Sequence, residues 1–361
     1  MYNIILSFIT AFTLTYFAIP SIIHIARVKH LCDDPDDDRR AHTESTPSLG
    51  GIGIFSGVIF SIIMWTPFNV FSDLQYILCS FIIIFLIGAK DDILPMSPKT
   101  KLMGELFAAA ILVFLSHVQL TSFYGFLGIH ELPYAISIGL SIFTILVIIN
   151  AFNLIDGING LSGSLAIIMS ISFGTWFFFV DRIELAIVAY SLAGASLAFL
   201  KYNYSPAKIF MGDTGSLLLG LIASILAIKF LEVNNFIIHD TSAFEKYGKY
   251  AFQVGPAIAV GVLVLPLFDT LRVFTKRALK GKSPFSPDRT HIHHLLLDYG
   301  FSHTKSTIVL IITNIFFILV AIYFQFLGPV VLIAFILGLA IILSSLLSVA
   351  AKTKIKQRKL G

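Results

Sequence analysis

Charge is scarce in this sequence, and cysteine and tryptophan are scarcer still. Asp, Glu, Lys and Arg make up 13% of the 361 residues against 57% hydrophobic, too few polar side chains to cover a soluble globule of that size. The two cysteines, Cys32 and Cys79, fall in a loop and inside an apolar run, which argues against a disulfide framework or a thiolate metal cage. The first apolar run lacks a basic n-region and shows no small-residue cleavage site before Arg27. It is therefore expected to remain as a helix of the mature chain. No internal repeat of roughly 20–50 residues is evident.

What the chain does contain is apolar length. A bilayer-spanning helix needs roughly 20 mostly apolar residues, and eleven runs are candidates: about 2–25, 51–67, 75–89, 101–118, 134–152, 162–180, 184–200, 215–231, 251–272, 306–327 and 329–350. The predicted fold is an all-α integral membrane protein of about eleven transmembrane helices, with ten as the alternative count. Residues 1–350 form one multi-pass domain, followed by a basic tail at 351–361. The 34 Phe residues supply bulky packing surface and need no cofactor to explain them.

Loop Lys and Arg residues are retained on the cytoplasmic side of a membrane. With the N-terminus outside and the C-terminus cytoplasmic, 21 of the 25 basic residues fall on the cytoplasmic face, the exceptions being Arg182, Lys229, Lys246 and Lys249. The same choice gathers the unusual polar clusters on that face.

Four clusters stand out there. Asp91 and Asp92 lie in GAKDDILPMSPKTK, where adjacent carboxylates are costly at a membrane boundary unless hydrated, paired or bound to a cation. A solvated helix end would explain them singly; a divalent-metal or phosphate site, with Lys90, Lys99 and Lys101 as anion contacts, is the sharper alternative. In NAFNLIDGING, Asn150, Asn153, Asp156 and Asn159 recur every third residue with no Lys or Arg. That spacing places them near one helical face, and such oxygen ligands suit Mg2+ or Mn2+, a polar helix seam being the plainer alternative.

FMGDTGS, residues 210–216, opens the eighth run with Asp213 or Thr214 placed to cap it, and the preceding NYSPAK adds Asn203 and Lys208. Capping alone accounts for one of them, while a glycine-flanked helix start also suits an anion. In the longest loop of that face, Asp269, Arg272 and Lys276 share a helical face and precede Arg289, His291, His293 and His294. The His-x-His-His run lacks the partners of a familiar zinc site. Arg and His together suit phosphate recognition. Gly53 and Gly57, within GGIGIFSG, have the spacing of close helix packing in lipid and not the context of a dinucleotide fingerprint.

A cation-coupled transporter would hold its ionisable groups near the bilayer midplane. These clusters sit at one interface, the arrangement expected of an enzyme that joins a water-soluble phosphorylated substrate to a lipid. GAKDD, NAFNLIDGINGL, NYSPAKIFMGDTGSLLLG and SPDRTHIHHLLL, in this order, resemble the polyprenyl-phosphate N-acetylhexosamine-1-phosphate transferases over residues 34–297. The resemblance implies a Mg2+-dependent (alternatively Mn2+-dependent) enzyme of the bacterial cytoplasmic membrane with its active site on the cytoplasmic face. It would move a sugar 1-phosphate from a UDP-N-acetylhexosamine to undecaprenyl phosphate, release UMP and initiate a cell-envelope polysaccharide such as O-antigen or teichoic acid.

SPDRTHIHHLL is similar to the GlcNAc-1-phosphate branch. The peptidoglycan translocase branch, which tends to carry three consecutive His, is the alternative; here Ile292 interrupts the run.

By position, the resemblance implies catalytic roles for Asp91, Asp92 and Asp156, metal binding by Asp213 with Asn153, and substrate contacts from Lys101, Asn159, Asn203, Arg289, His291, His293, His294 and His42. Many relatives have Asp where this chain has Asn159, which offers a carbonyl ligand but no charge and no base. DDPDDDRRAHTESTPSLGG resembles the family's first cytoplasmic loop, with Arg40 and His42 at its rim. A direct displacement and a route through an aspartyl-phosphate are both open at this point. No nucleic-acid partner is expected. Glycine-bearing helix faces permit a homodimer without requiring one.

Overall fold

The computed structural model describes residues 1–31, 46–70, 74–125, 128–281 and 290–360. These residues are helical almost throughout: α1 (Tyr2–Val28), α2 (Gly50–Trp65), α3 (Leu74–Ile93), α4 (Pro98–Leu115), α5 (Tyr134–Ile155), α6 (Leu161–Phe179), α7 (Ile183–Asn203), α8 (Gly212–His239), α9 (Thr241–Tyr247), α10 (Gly255–Val262), α11 (Val264–Leu279), α12 (Ile292–Tyr299), α13 (His303–Tyr323) and α14 (Pro329–Leu360). Each of the eleven apolar runs is occupied by a helix, and the run 251–272 by two, α10 and α11, bent by 80° where they meet. Among the described residues, seven helices are long and apolar enough to cross a bilayer, or eight if that bent pair counts as one span. Of the remaining three runs, α2 has only 16 residues, α3 ends in Lys90, Asp91, Asp92 and Ile93, and α4 carries Lys99, Lys101 and Glu105 within 18. The chain is a multi-pass membrane protein. The basic tail expected after residue 350 is helical as far as Leu360, as the continuation of α14.

The core centres on α7 and α8, which are buried along most of their length, whereas α1 and α14 lie at the periphery. The first turn of α8 is wedged among α2, α3 and α5, and glycine makes this possible. A Cβ at Gly51 would stand 2.1 Å from the Gly215 nitrogen, one at Gly88 2.5 Å from the Thr214 Cα, and one at Gly220 2.5 Å from the Ile149 Cα. The starts of α2 and α8 are also laced together, since the Gly50 and Gly51 amides donate to the Phe210 and Met211 carbonyls at 2.9 Å each, satisfying helix-start N–H groups that would otherwise lack partners.

The obstacle facing a Gly51 side chain is backbone, which cannot rotate away. Gly51→Ala is therefore expected to lower the thermal midpoint measurably, at a cost of about 1–3 kcal/mol from overpacking, and to displace the α8 N-terminus. A melting curve in detergent that matches the parent would contradict this packing. Gly53 and Gly57 also pack closely, as their spacing suggested, with a Gly57 Cβ only 2.2 Å from Thr15 Oγ1 of α1.

The segment after α8, which carried no legible signal in the sequence, closes the opposite end of the bundle. Asp240 caps α9 by accepting from the Ala243 amide at 2.8 Å. Asp181, before α7, pairs with Lys246 at 3.2 Å and accepts from the Tyr247 hydroxyl at 2.8 Å. Tyr250 stacks on Phe179, and its carbonyl accepts from Trp176 Nε1 at 2.9 Å.

Candidate active site

The polar clusters, far apart in the chain, meet at one end of the bundle around Asp213. Gly212 starts α8 with φ +71°, a left-handed conformation, and a Cβ there would meet the Ser48 carbonyl oxygen at 2.1 Å, so glycine alone fits this turn. The turn presents the Asp213 carboxylate to groups from two other helices. From α4, the Lys101 ammonium pairs with Asp213 Oδ2 and also with Asp91 Oδ2 at 3.3 Å. From α5, Asn153 Nδ2 donates to Asp213 Oδ1 at 2.7 Å and to Ser216 Oγ at 3.0 Å. One cation thus holds two carboxylates that would otherwise repel.

The adjacent acids Asp91 and Asp92 have different tasks. Asp91 Oδ1 accepts from the Met96 amide at 2.5 Å, while its other oxygen faces Lys101. Asp92 turns to the start of α8: Oδ1 accepts from the Asp213 amide at 2.6 Å, and Oδ2 from the Thr214 amide at 2.9 Å and the Thr214 hydroxyl at 2.5 Å. The capping expected of Asp213 or Thr214 is supplied from α3 instead. Asp92, expected to be catalytic, seats the helix that carries Asp213.

Asp156 follows α5, half-buried, and accepts from Ser162 Oγ at 2.5 Å. Burial, reinforced by the charges of Asp213 and Asp92 and opposed by the Ser162 hydrogen bond, pushes its carboxyl up to about 7. Asn159 is buried, and its Nδ2 finds no hydrogen-bond partner among the described residues; its backbone carbonyl accepts from Thr307 Oγ1 at 2.8 Å. Asn203, expected at the substrate, is committed to backbone at both ends of its amide. Its Oδ1 accepts from the Gly160 N–H at 2.6 Å, and its Nδ2 donates to the Ile209 carbonyl at 2.9 Å. It fixes the turn before α6.

The histidines divide in the same way. Asp269, 1% exposed, meets His291 Nδ1 at 2.8 Å and accepts from the Ile292 amide at 2.8 Å, with Arg272 at 3.7 Å. Arg272 also donates to the Thr290 carbonyl at 2.6 Å, so the face that carries Asp269 and Arg272 anchors the start of α12. His293 is buried with its ring against Gly157, where a Cβ would lie 2.2 Å from Nε2. Burial and the neighbouring histidines hold its imidazole well below the ordinary range, which keeps it neutral. His293 therefore joins α12 to the Asp156 turn, and of the three histidines only His294 is half-exposed. His42 and Arg289, like Arg40, lie outside the described residues.

The donors suit a hard divalent cation. Asp213 and Asp91 converge on a single cationic group, and Mg2+ in phosphate sites is commonly held by one or two carboxylates plus substrate oxygens and water. Among the described residues there is no group of three or more His, Cys, Asp or Glu that could hold a metal ion. Asn153, expected from the sequence to help hold the metal, orients the Asp213 carboxylate through its N–H. Not singled out beforehand were Ser162, Ser216, Thr307 and Glu105, a carboxylate buried in α4 whose Oε2 accepts from Asn150 Nδ2 at 2.7 Å. Its signal was legible: an acid four residues after Lys101, inside an apolar run.

Residues 74–231 match the family model described as Glycosyl transferase family 4, a stretch that contains Asp91 through Asp213. A probable undecaprenyl-phosphate N-acetylglucosaminyl 1-phosphate transferase of Bacillus subtilis is 31% identical over 89% of this chain and 85% of its own. A decaprenyl-phosphate N-acetylglucosaminephosphotransferase of Mycobacterium tuberculosis is 30% identical over 84% and 78%. An undecaprenyl-phosphate alpha-N-acetylglucosaminyl 1-phosphate transferase of Escherichia coli K12 is 28% identical over 79% and 74%. With coverage this long, and with the motifs brought together in space, the chain belongs to glycosyl transferase family 4, among the polyprenyl-phosphate N-acetylhexosamine-1-phosphate transferases.

Proposed function

We propose that the protein transfers N-acetylglucosamine 1-phosphate from UDP-N-acetylglucosamine to undecaprenyl phosphate, giving the lipid diphosphate sugar and UMP, as the first step of a cell-envelope polysaccharide. The observation that carries this reading is the convergence of Asp91, Lys101, Asn153 and Asp213 at one end of a membrane bundle. An oxygen of the lipid phosphate attacks the sugar-linked phosphorus, and the bond from that phosphorus to the bridging oxygen breaks, so that UMP departs with the electron pair. Two anions must meet for this to happen, and the protein's contribution is fixed positive charge and alignment.

Lys101 lies where negative charge gathers, Asp91 orients the acceptor phosphate beside it, and Asp92 keeps Asp213 in register. By analogy with phosphate monoesters, the lipid phosphate has a second pKa near ~6 and is already largely ionised at neutral pH, so alignment matters more than proton removal. Asp213 and Asp91 would hold Mg2+, which when bound neutralises the diphosphate and the departing UMP. His294, with Arg289 and His42, is assigned to the nucleotide-sugar.

The proposal includes eleven spans, an outside N-terminus and an active site on the cytoplasmic face, and the distribution of Lys and Arg supports that topology. The test is UMP release by purified protein in detergent. Release is expected only with UDP-N-acetylglucosamine and undecaprenyl phosphate together, and EDTA should abolish it until Mg2+ is restored. UMP appearing without lipid would replace direct displacement by a covalent aspartyl-phosphate route, and no release with any UDP-N-acetylhexosamine from folded protein would overturn the assignment.

A further inference from the structure

We propose that Glu105 is a positioning residue of the transferase: with Asn150 it forms a clamp one helical turn inside the membrane from Asp213, and this clamp sets the distance at which Lys101 and Asn153 grip that carboxylate. The inference rests on the transferase reading for its kinetic part only.

Glu105 is 1% exposed; the turn after it is Leu106, Phe107, Ala108 and Ala109, and the one before it holds Lys101, Leu102, Met103 and Gly104. Burying a carboxyl group among such side chains is costly unless it is hydrogen-bonded, and packing alone would not place it there. Its partner is Asn150 Nδ2 at 2.7 Å, and the same amide nitrogen donates to the Leu146 carbonyl of its own helix at 2.9 Å. The Asn150 amide is thereby locked in orientation, and the pair ties α4 to α5.

The register gives the pair its purpose. Lys101 and Glu105 are four residues apart on α4, and Asn150 and Asn153 three apart on α5, so each pair lies along one face, about a turn apart. Lys101 and Asn153 approach Asp213 from opposite sides, one at each carboxylate oxygen. Glu105 and Asn150 repeat that connection one turn deeper, directly between the two helices. Without this second link the faces can slide or splay, and the two groups no longer reach Asp213 together. A shift of about 1 Å in a reacting geometry costs on the order of 100-fold in rate.

The experiment uses the full-length protein in detergent, comparing Glu105→Ala, Glu105→Gln, Asn150→Ala and the double Ala variant. Glu105→Ala is expected to lower kcat for UMP release by about 10- to 100-fold with KM for the UDP-sugar changed less than about threefold, because the displaced groups act on charge that develops in the transition state. Asn150→Ala should match it, and the double variant should be no worse than either, since the two side chains form one unit. Glu105→Gln keeps an oxygen acceptor for Asn150 and should recover most of the rate.

Backbone hydrogen exchange supplies the readout that does not depend on activity. In Glu105→Ala, exchange should rise at the start of α4 and the end of α5. If the parent protein transfers no sugar phosphate, the transferase reading falls while exchange still judges the clamp. Additive losses in the double variant, Gln behaving as badly as Ala, or unchanged exchange would each overturn it.

Discussion

Asp213→Ala is expected to remove transfer almost completely, by about 10³-fold or more, the scale seen when a principal electrostatic group of a site is deleted. Every other charged or amide group at the centre is organised around this carboxylate. Lys101 reaches across to it from α4, Asn153 donates to it from α5, and Asp92 fixes its backbone nitrogen from α3. Without it the remaining acids present a single carboxylate, Asp91, to Lys101 or to Mg2+. Asp213→Asn should fail nearly as badly, because an amide keeps the shape but neither the charge nor the affinity for a hard cation. The fold should tolerate both changes: Lys101 still has Asp91, Asn153 still has Ser216, and the Asp92 cap contacts the backbone at 213. UMP release measured beside a melting curve separates the two effects. A variant that melts like the parent and retains a tenth of its rate would mean that Asp213 is not the centre of the site.

Much of this was open to reading in the sequence. The helical class follows from apolar run length, and the eleven runs correspond one for one to helices or to the bent pair. The identity of the central groups could be read as well, since Asp91, Lys101, Asn153 and Asp213 are polar residues where an apolar chain reaches water. What the sequence could not show is direction. Adjacent helical residues point about 100° apart, so Asp91 and Asp92 look equivalent in a string of letters and face different neighbours in space. The same ignorance of direction hid the protein partners of Asn203, His291 and His293. Asn203 bonds to the backbone of Gly160 and Ile209, His291 Nδ1 meets Asp269, and His293 is packed on Gly157. Their partners come from turns and helices distant in the chain, which spacing cannot reveal. The span count suffered from a different effect: α2, α3 and α4 are apolar enough to be seen, but they are short or carry charged residues and fall outside the count by length and composition.

The division of labour between the paired acids gives the second large effect, and its sign is unambiguous. Asp92→Ala strips three acceptor contacts from the start of α8 and leaves the Asp213 and Thr214 N–H groups and the Thr214 hydroxyl without that partner. Loss of a helix cap costs about 0.5–2 kcal/mol, and orphaned buried donors add about 1–3 kcal/mol. A total of about 2–4 kcal/mol is therefore expected, with a clear drop in the melting temperature. Transfer should fall with it, because Asp213 is then free to swing. Asp92→Asn should not rescue the variant, since its amide nitrogen would face N–H or O–H groups on one side. Asp91→Ala is the opposite case. Its carboxylate contacts Lys101 and one loop amide, Met96, so its removal should leave the melting temperature within a few degrees, about 1 kcal/mol in a chain of this size, while transfer falls by about 10²-fold or more. Both variants would then be poor enzymes for different reasons, which activity alone cannot separate. The decisive comparison is activity against melting temperature for the two variants in one preparation. If the Asp91 variant proved the unstable one and the Asp92 variant melted like the parent, the α3 acids would have to exchange roles, and Asp92 would become the group that faces the acceptor phosphate.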